Sequence, residues 1–215
     1  MGTTLQETPS GNRLHIGIFG KTNSGKSAFI NAFSGQSVSI VADVKGTTTD
    51  PVYKAMEIAP LGPCVLIDTA GFDDEGELGA MRMEKTALAA QKTELALILF
   101  ASEDMEKELE WFRYFQEKKT PVIPVISKSD LRSEEENQEF AEKLREQTKE
   151  KVCIVSAKTG AGIAELKERM IRMVPEGFGS RTITGDLVSE GDVVLLVMPQ
   201  DIQAPKGRLI LPQVQ

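Results

Sequence analysis

Apolar residues fall along this chain in two spacings. Continuous runs occur at LHIGIF (14–19), PCVLID (63–68), LALILFA (95–101), PVIPVIS (121–127) and KVCIV (151–155). Runs of that length and composition are what strands covered on both faces require. PVYKAMEI (51–58) alternates instead, which suits an edge strand with one face near solvent. Between these runs, apolar residues three and four apart predict amphipathic helices over 26–34, 80–92, 104–118, 133–147 and 162–173. Ser133 followed by Glu136 predicts a capping box at the head of the fourth helix. The alternation of strand and helix predicts an α/β fold over 13–174: a mostly parallel six-stranded sheet flanked by helices on both sides.

The texture changes after Pro175. PEGFGS has the composition of a linker, and VVLLVMP and RLILP follow as two strand-like runs separated by a Pro/Gly connection. Two strands cannot bury their own faces in water. Residues 175–215 are therefore expected to be a linker and a short β-rich stub, the start of another domain or a segment that docks on a partner. Residues 1–12 are polar and are expected to be a flexible N-terminus with no signal-peptide core.

Composition narrows the function. The 215 residues are 40% hydrophobic, enough for a real core, and the formal net charge is −7. That balance argues against a general binder of nucleic acid or of anionic membranes, because no basic excess is available to neutralise phosphates. No apolar run reaches 18 residues, so no transmembrane helix is expected, and a cytoplasmic enzyme or switch is the expectation. Cys64 and Cys153 lie far apart within apolar runs, and no disulfide between them is expected.

The chemistry starts at Gly20-Lys21-Thr22-Asn23-Ser24-Gly25-Lys26-Ser27, which matches G-x-x-x-x-G-K-[ST] between a predicted strand and a predicted helix. Glycines let the backbone curl so that the N–H groups of Asn23, Ser24, Gly25 and the helix start point inward and cradle phosphates. Lys26 is expected to reach the β- and γ-phosphates, and the Ser27 hydroxyl to bind Mg²⁺. Asp68-Thr69-Ala70-Gly71 ends a strand about 40 residues further on. Its Asp68 can hold Mg²⁺ through water, and the Gly71 N–H can bond a γ-phosphate and release it after hydrolysis.

Ser127-Lys128-Ser129-Asp130 after PVIPVI resembles the N-K-x-D base-reading element of GTPases, and Ser156-Ala157-Lys158 after KVCIV resembles their loop that offers a backbone N–H to guanine O6. By that resemblance Asp130 accepts two hydrogen bonds from the guanine N1–H and N2–H₂, and the Lys128 stem covers the ring. Ser127 stands where asparagine is usual, and its shorter reach is expected to tie the loops together less well. The four motifs occur in the order and spacing of Ras-like P-loop GTPases, which they resemble over 13–174.

Two features are similar to the tRNA-modification-GTPase-like (TrmE/Era) branch. In Gly46-Thr47-Thr48-Thr49-Asp50, which resembles the G-T-T-R-D switch with Thr49 in place of arginine, Thr48 is expected to be a second Mg²⁺ ligand. Asn23 matches the asparagine that binds K⁺ in that branch, together with backbone carbonyls that here correspond to Ala42, Val44 and Thr47. A cation there would offset charge building between the phosphates. The alternative for Asn23 is a turn former that tolerates unusual backbone angles. Lys26, Thr48 and Gly71 are the expected catalytic groups.

Phe72 follows the glycine where Ras-like enzymes carry a catalytic glutamine, so intrinsic hydrolysis is expected to be slow. Glu75 or Glu77 can assist, or the acidic run can be a solvated loop.

GDVVLLVMPQDIQAPKGRLILPQVQ resembles the start of the dimerisation domain of the di-iron hydrogenase maturation GTPases (HydF family). That resemblance implies a K⁺-stimulated GTP/GDP switch, dimeric through its C-terminal region, that works with the hydrogenase and its radical maturases. Chains of that family continue into a domain with iron–sulfur ligands; Cys64, Cys153 and His15 sit in predicted core strands and form no such set, so the chain resembles the GTPase domain plus a stub. Two alternatives stay open: an RNA-linked GTPase of the tRNA-modification or ribosome-assembly type, and a nucleotide-dependent scaffold with negligible turnover.

Overall fold

A computed structural model describes residues 13–35, 39–44, 51–71 and 77–174, with 39–44 and 77–81 described by their backbone. In chain order the elements are β1 (Leu14–Phe19), α1 (Lys26–Gly35), β2 (Ser39–Val44), β3 (Val52–Ile58), β4 (Gly62–Asp68), α2 (Glu77–Lys92), β5 (Leu95–Phe100), α3 (Glu106–Glu117), β6 (Val122–Ile126), α4 (Glu134–Thr148), β7 (Cys153–Ile154) and α5 (Ile163–Met173). A single 3₁₀ turn, Ser129–Leu131, follows β6.

The strands form one sheet in the order β2-β3-β4-β1-β5-β6-β7. β4, β1, β5, β6 and β7 run parallel, and β2 and β3 are antiparallel to their neighbours. All six strands read from the sequence are present. The seventh, β2, was not expected, and it takes the edge position that the alternation of 51–58 suggested for β3. In β3, Val52, Tyr53 and Lys54 are partly exposed, Ala55, Met56 and Ile58 are buried and Glu57 is exposed, so its alternation reflects uneven burial rather than a free edge.

Burial explains the continuous runs. β5 and β6 are buried at every position, as strands covered on both faces must be. Trp111, Phe112 and Phe115 put an aromatic stripe on the inner side of α3. The Phe19 ring at the end of β1 lies 5.6 Å from Trp111 and 4.9 Å from Phe115, centroid to centroid. Each fully buried aromatic of this kind contributes about 1.5–3 kcal/mol of apolar transfer, which fixes α3 against the strand that delivers the glycine-rich loop. The capping box heads α4 as expected: the Ser133 hydroxyl accepts from the Glu136 N–H at 3.1 Å, and the Glu136 carboxylate accepts from the Ser133 N–H at 2.7 Å. With five strands parallel, the loops leaving β1, β4, β5, β6 and β7 gather at one edge of the sheet, where open α/β folds place their ligand sites.

Candidate functional site

The loop between β1 and α1 turns on three residues with positive φ, Gly20 at 158°, Asn23 at 60° and Gly25 at 92°. The turn is closed by Ser24 N–H donating to the Lys21 carbonyl at 3.1 Å. The first N–H groups of α1 have no partner within the helix and face the loop's concave side, a ready anion site. Lys26 is buried and folds back across the loop, its Nζ donating to the carbonyls of Gly20 (2.9 Å) and Lys21 (2.8 Å). An ammonium held there sits where the charge of a bound phosphate chain would fall.

Ser27 and Asp68 meet. The Ser27 hydroxyl donates to Asp68 Oδ2 at 2.7 Å. Burial pushes the Asp68 carboxyl up, while the Ser27 hydrogen bond and the charges of Lys26 and Lys54 pull it down. A hydroxyl and a carboxylate side by side are the hard oxygen donors that Mg²⁺ takes when it is shared with a phosphate. The strand end is pinned by the Thr69 hydroxyl, buried and donating to the Ile18 carbonyl at 2.6 Å. Gly71 then passes so close to the glycine-rich loop that a Cβ on it would lie 2.1 Å from Thr22 Oγ1 and 2.5 Å from the Thr22 nitrogen. Only glycine fits this approach.

The base-reading motifs also converge. A cavity of about 230 Å³ is lined by Gly25, Phe29, Lys128, Asp130, Ala157 and Lys158, among others. Lys128 holds the left-handed conformation (φ 55°) and its stem runs over Gly25. Asp130 Oδ1 accepts a 2.6 Å hydrogen bond from the buried Ser156 hydroxyl, which itself accepts from the Thr159 N–H at 3.2 Å. The Ser156 bond, helped by the nearby charges of Lys158 and Lys128, holds the Asp130 carboxyl below the usual carboxylate range. That hydroxyl role was invisible in the sequence, where Ser156 counted only as part of a backbone loop.

Ser127 corrects an expectation. Its reach is sufficient: the buried hydroxyl donates to the Ser24 carbonyl at 2.7 Å and so ties the base-reading loop to the phosphate loop across 103 residues of chain. Lys21 is a second finding that the motif did not announce. Its Nζ donates to the Asp104 carbonyl (2.6 Å) and Oδ2 (2.7 Å), and lies 3.5 Å from Oε2 of the buried Glu108. Burial lowers the Lys21 ammonium, but the hydrogen bond to Asp104 and the charge of Glu108 outweigh it and hold it above its ordinary value.

The remaining expected residues lie at the loop rim, in β2 or outside the described residues. Asn23 is exposed at the rim of the loop. Ala42 and Val44 lie in β2, paired with Ala55 and Tyr53 of β3. Thr47, Thr48, the rest of 46–50, Phe72, Glu75 and all of 175–215 lie outside the described residues, as does the side chain of Glu77. Cys64 and Cys153 are free and buried, and burial pushes the Cys64 thiol up to about 12. His15 is half-buried, its Nδ1 3.3 Å from Glu94. Among the described residues, no group of three or more His, Cys, Asp or Glu could hold a metal ion, and no helix is long and apolar enough to cross a membrane.

Comparison with known proteins agrees with this geometry. Residues 15–128 match the family model of the 50S ribosome-binding GTPases, and residues 183–215 match that of the hydrogen maturase F dimerization domain. The chain is 34% identical over 195 residues to the GTPase Der of Wolinella succinogenes, covering 85% of this chain and 40% of that protein. It is 31% identical over 166 residues to the tRNA modification GTPase MnmE of Endomicrobium trichonymphae, covering 74% of this chain and 35% of that one. The chain thus spans well under half the length of these curated relatives. Among solved structures, Era of Aquifex aeolicus bound to GDP and AlF₄⁻ superposes with a TM-score of 0.63 at 26% identity, over 76% of this chain and 57% of that one.

Proposed function

Because the chain belongs to the 50S ribosome-binding GTPase family, we propose that it binds GTP with Mg²⁺, hydrolyses it slowly to GDP and phosphate, and uses that cycle as a switch in the assembly of a di-iron hydrogenase cofactor. The observation that carries the nucleotide reading is the meeting of Asp130, Lys128 and Lys158 around one pocket beside the phosphate loop, with Asp130 oriented by the Ser156 hydroxyl. Asp130 accepts the guanine N1–H and N2–H₂; adenine lacks both donors, so the carboxylate would lose its partners. The loop N–H groups and Lys26 bind the phosphates and stabilise charge that develops on them. Ser27 and Asp68 would hold Mg²⁺, with Thr48 as a further ligand, and the ion would offset negative charge on the phosphates. Gly71 reports the γ-phosphate through its N–H. Asn23, with the carbonyls of Ala42, Val44 and Thr47, would hold K⁺.

The match of residues 183–215 supports the hydrogenase assignment, a domain boundary near 175 and a dimer formed through the C-terminal region. Co-purification tests it: the chain should retain hydrogenase or radical maturase proteins in a manner that changes between GTP and GDP. A second reading, an RNA-linked GTPase, is favoured by the identity to a tRNA modification GTPase and disfavoured by the net charge of −7. Retention of RNA that weakens steeply with salt would select it.

A further inference from the structure

We propose that Arg132 is a positioning residue that sets guanine selectivity from outside the nucleotide pocket. The inference rests on reading the pocket as a guanine site. The loop that carries Lys128 and Asp130 starts at Ser127, whose hydroxyl has one hydrogen, with the Ser24 carbonyl at 2.7 Å and the Phe100 carbonyl at 3.4 Å, while its backbone N–H donates to the Phe100 carbonyl at 2.9 Å. Those bonds anchor the loop's first residue to the phosphate loop and to β5 and leave its side chain no second hydrogen for the residues that follow. The usual asparagine would bring two N–H donors to this position.

Arg132 supplies donors from the far end of the same loop. Nη1 donates to the Ser127 carbonyl at 3.3 Å, and Nη2 donates to the Ala101 carbonyl. These carbonyls lie one residue past the ends of β6 and β5, so one planar guanidinium spans two adjacent strand ends. A fixed fork of this kind constrains geometry in a way that a single ammonium cannot. The guanidinium is itself held: its carbon lies 5.0 Å from the centroid of the buried Phe140 ring. Asn137, also buried, closes the frame from α4. Its Nδ2 donates to the Ser129 and Ser133 carbonyls, both at 2.9 Å, and its Oδ1 lies 3.5 Å from Arg132 Nη1. The segment from Ser127 to Arg132 is therefore braced at its start, middle and end, and Asp130 projects from the braced part.

The consequence is selective. Guanine offers Asp130 two donors and hypoxanthine offers one, N1–H. A second bond needs the carboxylate in one orientation, whereas a single bond tolerates movement. Loosening the brace should weaken guanine more than hypoxanthine and leave the phosphate site alone.

The test is displacement of a fluorescent GDP by GDP and by inosine diphosphate, on the full chain with Mg²⁺, for the parent, Arg132→Met and Arg132→Lys. Arg132→Met keeps the stem over Phe140 and removes the donors. Losing a charged donor on two carbonyls should weaken GDP by about tenfold, weaken inosine diphosphate distinctly less, and so lower the ratio of the two affinities. Arg132→Lys, with one charged group in place of the fork, should fall between. Equal loss of both nucleotides in Arg132→Met, or no loss of either, would overturn the proposal. If that variant does not fold by thermal melting, an Arg132→Lys protein with the parent's affinity ratio would overturn it as well. A parent chain without guanine preference would instead overturn the nucleotide reading.

Discussion

Asp130→Asn should invert the base preference of the site. In the structure Asp130 Oδ1 already accepts the Ser156 hydroxyl hydrogen at 2.6 Å, which orients the carboxyl group and directs its remaining lone pairs to the pocket. An asparagine keeps one oxygen, and the Ser156 donor selects where that oxygen sits. The amide NH₂ must then face the guanine N2–H₂, donor against donor. Two hydrogen bonds to a charged acceptor are weakened or lost, each worth about a factor of ten, so GDP affinity should fall about a hundredfold or more. Xanthine carries a carbonyl at C2, which accepts from the new NH₂ while N1–H donates to the retained oxygen. Xanthosine diphosphate should therefore bind Asp130→Asn better than GDP does, the reverse of the parent. Calorimetric titration with the two nucleotides reads this directly. A variant that keeps the parent's GDP affinity would refute the role assigned to Asp130, and so would a parent that binds ADP as well as GDP.

The Ser156 bond also sets a pH dependence. It favours the ionised carboxyl and holds Asp130 low; removing it by Ser156→Ala raises that pKa, so GDP affinity in the variant should decline at a less acidic pH than in the parent, as a titration series would show. The same sign applies to stability: the bond's contribution is present above the unfolded pKa of the carboxyl and is lost as pH falls through the folded one. Ser133→Ala removes the hydroxyl of the α4 capping box and should cost about 1 kcal/mol in urea unfolding; an unchanged midpoint would contradict the cap's contribution. Asn23→Ala should abolish a stimulation of hydrolysis by K⁺ over Na⁺ at constant ionic strength while leaving Mg²⁺–GDP binding largely intact. Hydrolysis indifferent to K⁺ in the parent would return Asn23 to the turn that its φ of 60° already shows.

What the sequence made legible follows from which constraints are local. The glycine-rich loop is readable because phosphate binding demands particular residues at consecutive positions, Gly20 to Ser27, between a strand and a helix. β5 and β6 are readable because burial on both faces forces continuous apolar runs. β2 escaped notice because its pairing with β3 shifts register between Ile40 and Ala42, so a two-residue period does not run through it cleanly. Ser156 on Asp130, Arg132 on Ala101 and Lys21 on Asp104 escaped for another reason. They join residues 26, 31 and 83 apart along the chain, and no spacing rule connects such positions before the sheet brings its loops to one edge. The doubt over Ser127 had the same origin: the length of a side chain is visible in sequence, but the distance it must span is not.

Single-turnover hydrolysis of γ-labelled nucleotide tests the central claim most directly. With Mg²⁺ and K⁺ present, the chain should release phosphate from GTP and not from ATP, and Lys26→Ala should abolish the release, because that ammonium lies at the throat of the phosphate loop. Phosphate release at the level of the Lys26→Ala variant, or equal release from ATP and GTP, would contradict the account.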